Sequence, residues 1–141
     1  EIRPDGIETF VQSGWVRASE RKLSPGSTLL QASLSLKRRD AAPLPRGHFT
    51  QVVVPLYYEG HAYRAGSRIR ITISAPGGDQ PTWGFANLVP RGRAKVVVAH
   101  SEAMPSRLVL PVVPGVNVPT GLPPCPGLRG EPCRRYTPLA N

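Results

Sequence analysis

Proline and glycine set the outer limit on what this chain can fold into. With 17 prolines and 14 glycines, they occupy 31 of its 141 positions. Proline removes a backbone donor and clashes with the preceding helical turn, and glycine costs about 1 kcal/mol against alanine in a helix interior. An all-helical bundle is therefore excluded. The length is that of one domain, and 40% apolar residues suffice for a core. The longest run without a charge, residues 108–128, is long enough to span a membrane. It carries prolines at 111, 114, 119, 123, 124 and 126, and no lipid-embedded helix survives that.

With helices disfavoured, a hydrophobic period of two becomes the signal to follow. It is clearest over residues 67–75, where Ile69, Ile71, Ile73 and Ala75 share one face and Arg68, Arg70, Thr72 and Ser74 the other. Residues 49–58 (FTQVVVPLYY) are apolar on both faces, as in a strand between layers, with Pro55 marking an edge or bulge. Residues 93–101 and 106–113 predict a hairpin, and residues 9–17 a strand with Gly14 at a bulge or close backbone contact. Turn-rich connectors at 23–27, 38–47 and 76–81 separate these runs, as in a β-sandwich. Residues 29–36 (LLQASLSL) fit either a short extended segment or one or two helical turns. From Gly115 onward the alternation stops, so residues 1–114 are expected to form the sandwich. Residues 115–141 should form a Pro/Gly-rich tail that lies along another surface or is disordered.

Pro4-Asp5-Gly6 is a hairpin signal, yet only three residues precede the turn where a strand usually has five or six. The expectation is an N-terminally truncated sandwich whose preceding strands are missing.

Catalytic chemistry is hard to place. No G-x-S-x-G string exposes a serine on a strained turn, and His48, His61 and His100 stand apart in sequence. Paired Cys/His ligands and convergent carboxylates are lacking, and Gly77-Gly78 has no following Lys or helix, so no metal, nucleotide or other cofactor is expected. The net charge of +9 comes from 18 basic against 9 acidic residues. Arg17, Arg64, Arg68, Arg70, Arg107, Arg134 and Arg135 are dispersed, and 6% aromatics is too little for a base-stacking platform. Solvated faces and contacts to an acidic partner domain are favoured over nucleic acid. Cys125 and Cys133 enclose seven residues. A disulfide there would contribute about 2 to 3 kcal/mol at best and pin the tail, and it would favour a secreted or cell-surface setting. The alternative is two inert thiols in a cytoplasmic enzyme.

Three strings in order, residues 8–23 (ETFVQSGWVRASERKL), 52–83 (VVVPLYYEGHAYRAGSRIRITISAPGGDQPTW) and 105–114 (PSRLVLPVVP), resemble the C-terminal jelly-roll domain of the cocaine esterase-like (CocE/NonD) hydrolases, relatives of X-Pro dipeptidyl-peptidase. The resemblance implies an all-β, galactose-binding-like jelly roll packed on a serine α/β-hydrolase domain and its helical cap, with no catalytic residue in this chain. It implies structural roles for Trp15, in the strand bearing a tryptophan and then Arg17, and for Gly66, in the turn entering the Ile-rich strand, where Gly66 is the expected positive-φ residue and Ala65 the weaker candidate. Trp83 and Phe85, with Asp79 in the same loop, are candidates to contact the catalytic domain or to cap the sandwich's own end. Oligomer contacts are compatible with either role. A rival reading is a free-standing carbohydrate-binding module using Trp15, Trp83, Tyr57 and Tyr58 as a stacking surface.

Overall fold

The structure, a computed structural model, describes residues 1–74, 95–127, 130 and 132–138. Regular elements among them are short: strands β1 (Ile7–Glu8) and β2 (Arg134–Arg135), and 3-10 turns at Ala18–Glu20 and Arg38–Asp40. The architecture is that of a β-rich, largely non-helical chain, and no helix among the described residues is long and apolar enough to cross a membrane. Two compact units divide it. One comprises Glu1–Ser13, Leu56–Ile73 and Val113–Asn141, and the other Gly14–Pro55 and Ser74–Val112.

The first unit is built on the Pro4-Asp5-Gly6 turn. Gly6 takes φ +77°, and its N–H donates to Arg3 O at 3.0 Å while Arg3 N–H donates to Ile7 O at 2.9 Å. The Asp5 carboxylate accepts Ile7 N–H at 3.1 Å, an Asx turn that holds the reversal. Thr9 N–H donates to Glu1 O and Glu1 N to Thr9 O, closing the hairpin over an arm of three residues. Ile2 bridges Glu8 on one side and Arg68 on the other, exchanging backbone bonds of 2.8 and 2.9 Å with Arg68. β1 pairs antiparallel with β2, Ile7 opposite Arg135 and Glu8 opposite Arg134. The order across the sheet is therefore 68, 2, 7–8, 134–135. Directly paired residues share a face, so Ile2, Glu8, Arg68 and Arg134 project one way, and Glu1, Arg3, Ile7, Ser67 and Arg135 the other. Residues read from sequence as a tail thus supply an edge strand of this sheet.

In the second unit, Leu23 bridges Leu34, with Ser24 N–H donating to Ser33 O and Ser35 N–H to Lys22 O, both at 2.8 Å. The ambiguous run 29–36 is thus extended around Leu34 and leaves that conformation at Leu36, whose φ is +52°. Lys22 Nζ donates to Asp40 at 2.6 Å, and the Ser35 hydroxyl also donates to Asp40.

The runs 49–58, 67–74, 95–101 and 106–113 depart from expectation. Among the described residues they carry no ladder beyond the Arg68 bridge. A strand persists only where a neighbour supplies its N–H and C=O partners, and Pro55 and Pro111 have no N–H to offer. Burial follows the same logic. The buried hydrophobic residue among those described is Ile2, whereas Ile69, Ile71 and Ile73 are 50, 61 and 63% exposed. Among the described residues the pairing observed is the small antiparallel sheet with its isolated bridges, which makes the chain β-rich.

Candidate functional site

Asp79, Trp83 and Phe85 lie outside the described residues. Trp15 is half-buried in the second unit and engaged by a neighbour, while Tyr57 and Tyr58 are exposed. Gly66 has φ +84°, and a Cβ there would meet Pro4 Cγ at 3.6 Å, an ordinary contact. Its requirement is conformational, since an L side chain is disfavoured at that φ. Cys125 and Cys133 form a disulfide with Cα atoms 5.8 Å apart.

The structure assembles its chemistry elsewhere, on the two faces of the small sheet. On one face the Glu1 side chain has no exposed surface. The Ser67 hydroxyl donates to its Oε1 at 2.5 Å, and His61 Nε2 lies 2.9 Å from its Oε2. Tyr63 packs edge-on against His61, ring centroids 4.7 Å apart. Burial pushes the Glu1 carboxyl up, but the hydrogen bonds from Ser67 and His61 outweigh it and hold the group below its ordinary value. Burial, with the Glu1 charge adding to it, pushes Tyr63 up.

Serine, histidine and a carboxylate side by side suggest hydrolysis, but the wiring is wrong for it. A serine nucleophile must give its proton to an imidazole that the carboxylate orients. Here the Ser67 hydroxyl donates to the carboxylate itself, whose other oxygen bonds His61. That arrangement locks the sheet and activates nothing. Its members are separated by 60 and 66 residues, so no sequence spacing could have revealed it.

On the opposite face Glu8 accepts two 3.1 Å bonds from Arg70 Nη1 and one of 3.0 Å from Arg134 Nε. The Arg134 hydrogen bond outweighs burial and holds the Glu8 carboxyl below its ordinary value, with the Arg70 charge adding to it. The Arg68 and Arg70 guanidiniums lie 4.9 and 5.8 Å from the Tyr136 ring centre, within cation–π range. In the second unit an open groove of about 440 Å³ is bordered by Lys22, Ser24, Ser35, Lys37, Arg39 and Asp40. Its Ser35 hydroxyl donates to the Asp40 carboxylate, which Lys22 also holds. No group of three or more His, Cys, Asp or Glu suited to a metal ion occurs among the described residues.

Among the described residues the sheet therefore carries two polar clusters, one centred on Glu1 and one on Glu8. No curated protein and no solved structure matches the chain. Residues 1–109 match the family of X-Pro dipeptidyl-peptidase C-terminal non-catalytic domains, a description in keeping with a serine whose proton is committed to a buried carboxylate. By that match, which covers most of its length, this chain belongs to the X-Pro dipeptidyl-peptidase C-terminal non-catalytic domain family.

Proposed function

We propose that this chain is the accessory β module of a serine α/β-hydrolase of the cocaine esterase-like type. It would support hydrolysis of acyl esters or amides by a catalytic domain elsewhere in the same protein, through an acyl-serine formed there. The observation that carries the proposal is the apolar stripe Ile69, Ile71 and Ile73, each at least half exposed. Such a row, on a run that among the described residues carries no ladder beyond the Arg68 bridge, is a surface for another layer to cover. Covered, these runs complete a jelly roll, and the module braces the walls of the catalytic site. The loop with Asp79, Trp83 and Phe85 is part of that contact in this reading, and a secreted or cell-surface setting suits the disulfide.

The test is made in the full-length hydrolase. Ile71→Asp, which buries a charge if the stripe is covered, should lower both the melting temperature and kcat/KM for an ester substrate. Trp83→Ala should lower kcat/KM as well. Ile71→Asp without effect on either quantity would mean that the stripe stays solvated and the module braces nothing.

A further inference from the structure

We infer that the Cys125–Cys133 disulfide is a redox-responsive clamp on β2, with Arg3 deciding which sulfur departs when it opens. Cys133 directly precedes β2, so the disulfide fixes the point from which Arg134–Arg135 reach β1. The other end of the clamp is held by the hairpin. Arg3, only 8% exposed, donates from Nη1 to Pro123 O at 2.9 Å and to Cys125 Sγ at 3.4 Å, while its remaining nitrogens grip Asp5.

What else holds β2 is slight. Among the described residues there are the two-residue pairing, one bond from Tyr136 N–H to Gly6 O at 2.9 Å, the Tyr136 ring within cation–π range of Arg68 and Arg70, and an ion pair to Glu8 from an Arg134 that is 70% exposed. Two-residue ladders and exposed ion pairs do not hold a segment in place alone. Opening the disulfide therefore releases β2 and leaves the outer edge of β1 unpaired.

The opening step balances with a dithiol reductant. Its thiolate attacks Cys133 Sγ, the S–S bond breaks, and the electron pair leaves on Cys125 as a thiolate beside the Arg3 guanidinium, which stabilises that charge. The reductant's second thiol then displaces Cys133 and departs as a disulfide, and the protein keeps two thiols, with two electrons transferred. Arg3 is a positioning residue in this step. It touches Cys125, so the polarity is set.

The experiment uses the full-length protein, oxidised or treated with dithiothreitol, and reads amide hydrogen exchange. Reduction should speed exchange of the Arg134 and Tyr136 amides, the β2 donors to Glu8 and Gly6, by about tenfold or more, while the Arg3 and Gly6 amides of the hairpin keep their protection. The Cys125→Ser/Cys133→Ser double variant should show the reduced pattern without reductant. Unchanged protection at Tyr136, or equal loss across the hairpin, would overturn the clamp. Limiting glutathione followed by acid quench and peptide mapping reads the polarity. The adduct should sit on Cys133, and an adduct mainly on Cys125 would overturn the role of Arg3.

Discussion

At Glu1 a carboxylate with no exposed side-chain surface keeps its charge because Ser67 and His61 both hydrogen-bond to it. An ionised group buried without such partners would be neutralised instead. Its pKa is held below the ordinary 4.5, so the stabilisation it contributes is complete above that value and fades as pH falls through the lower folded-state value. Glu1→Gln keeps the shape and removes the charge. At neutral pH this variant should lose protection at the Ile2 and Arg68 amides by about tenfold, as expected for a weakened charged hydrogen bond. Acidification below pH ~4 should cost the variant less than the parent. A parent and variant that respond identically to acid would place the pH sensitivity elsewhere. Gly66 makes a separate demand. With φ +84° and no clash at its Cβ position, Gly66→Ala should cost about 1–2 kcal/mol through backbone strain alone. The measurement is a denaturant titration of the full-length protein.

Between elements, the link from β1 to β2 runs through Glu8, whose side chain is 13% exposed and accepts from Arg70 and Arg134. Glu8→Ala leaves two guanidiniums facing each other across the sheet, whereas Arg134→Ala removes an exposed partner from a carboxylate that Arg70 still serves. The first substitution should therefore destabilise by about 1–3 kcal/mol and the second by under about 1 kcal/mol, compared by urea midpoints in the full-length protein. Equal effects would show that the Arg134 bond, and not the pairing with Arg70, anchors Glu8. The same elements mark how far the sequence could be read. Pro4-Asp5-Gly6 announced its turn because the chemistry is local, with an Asx side chain and a glycine at φ +77°. Pro25-Gly26 did likewise, with Gly26 at φ +84°. The strand signal in residues 67–75 was real as a pattern, yet pattern alone does not supply a neighbour, and one bridge at Arg68 is what formed among the described residues. β2 was illegible. Arg-Arg in a proline-rich stretch carries no alternation, and its partner Glu8 lies 126 residues away. The Glu1, His61 and Ser67 cluster was hidden for the same reason, since only the sheet register brings its members together.

For the molecule as a whole, charge and apolar surface point the same way. A chain at +9 that leaves Ile71, Ile73, Val96 and Val112 from 61 to 84% exposed has polar reason to stay dissolved and apolar reason to be covered. Hydrophobic burial is the main force opposing chain entropy, and with Ile2 the buried hydrophobic residue among those described little of that force acts within these residues. The isolated 141-residue chain should therefore bind a hydrophobic dye such as ANS and show no sharp calorimetric transition. In the full-length protein the same residues should be silent to the dye, with the amides of residues 69–73 protected from exchange. Both halves of the comparison are needed, because dye binding alone also marks a misfolded sample, and protection alone also follows from a tighter local turn. An isolated chain that melts in one cooperative step and takes up no dye would mean that its apolar rows satisfy one another. The case for a covering domain would then fall, while the Glu1 lock and the disulfide clamp, which rest on polar and covalent contacts inside the first unit, would stand.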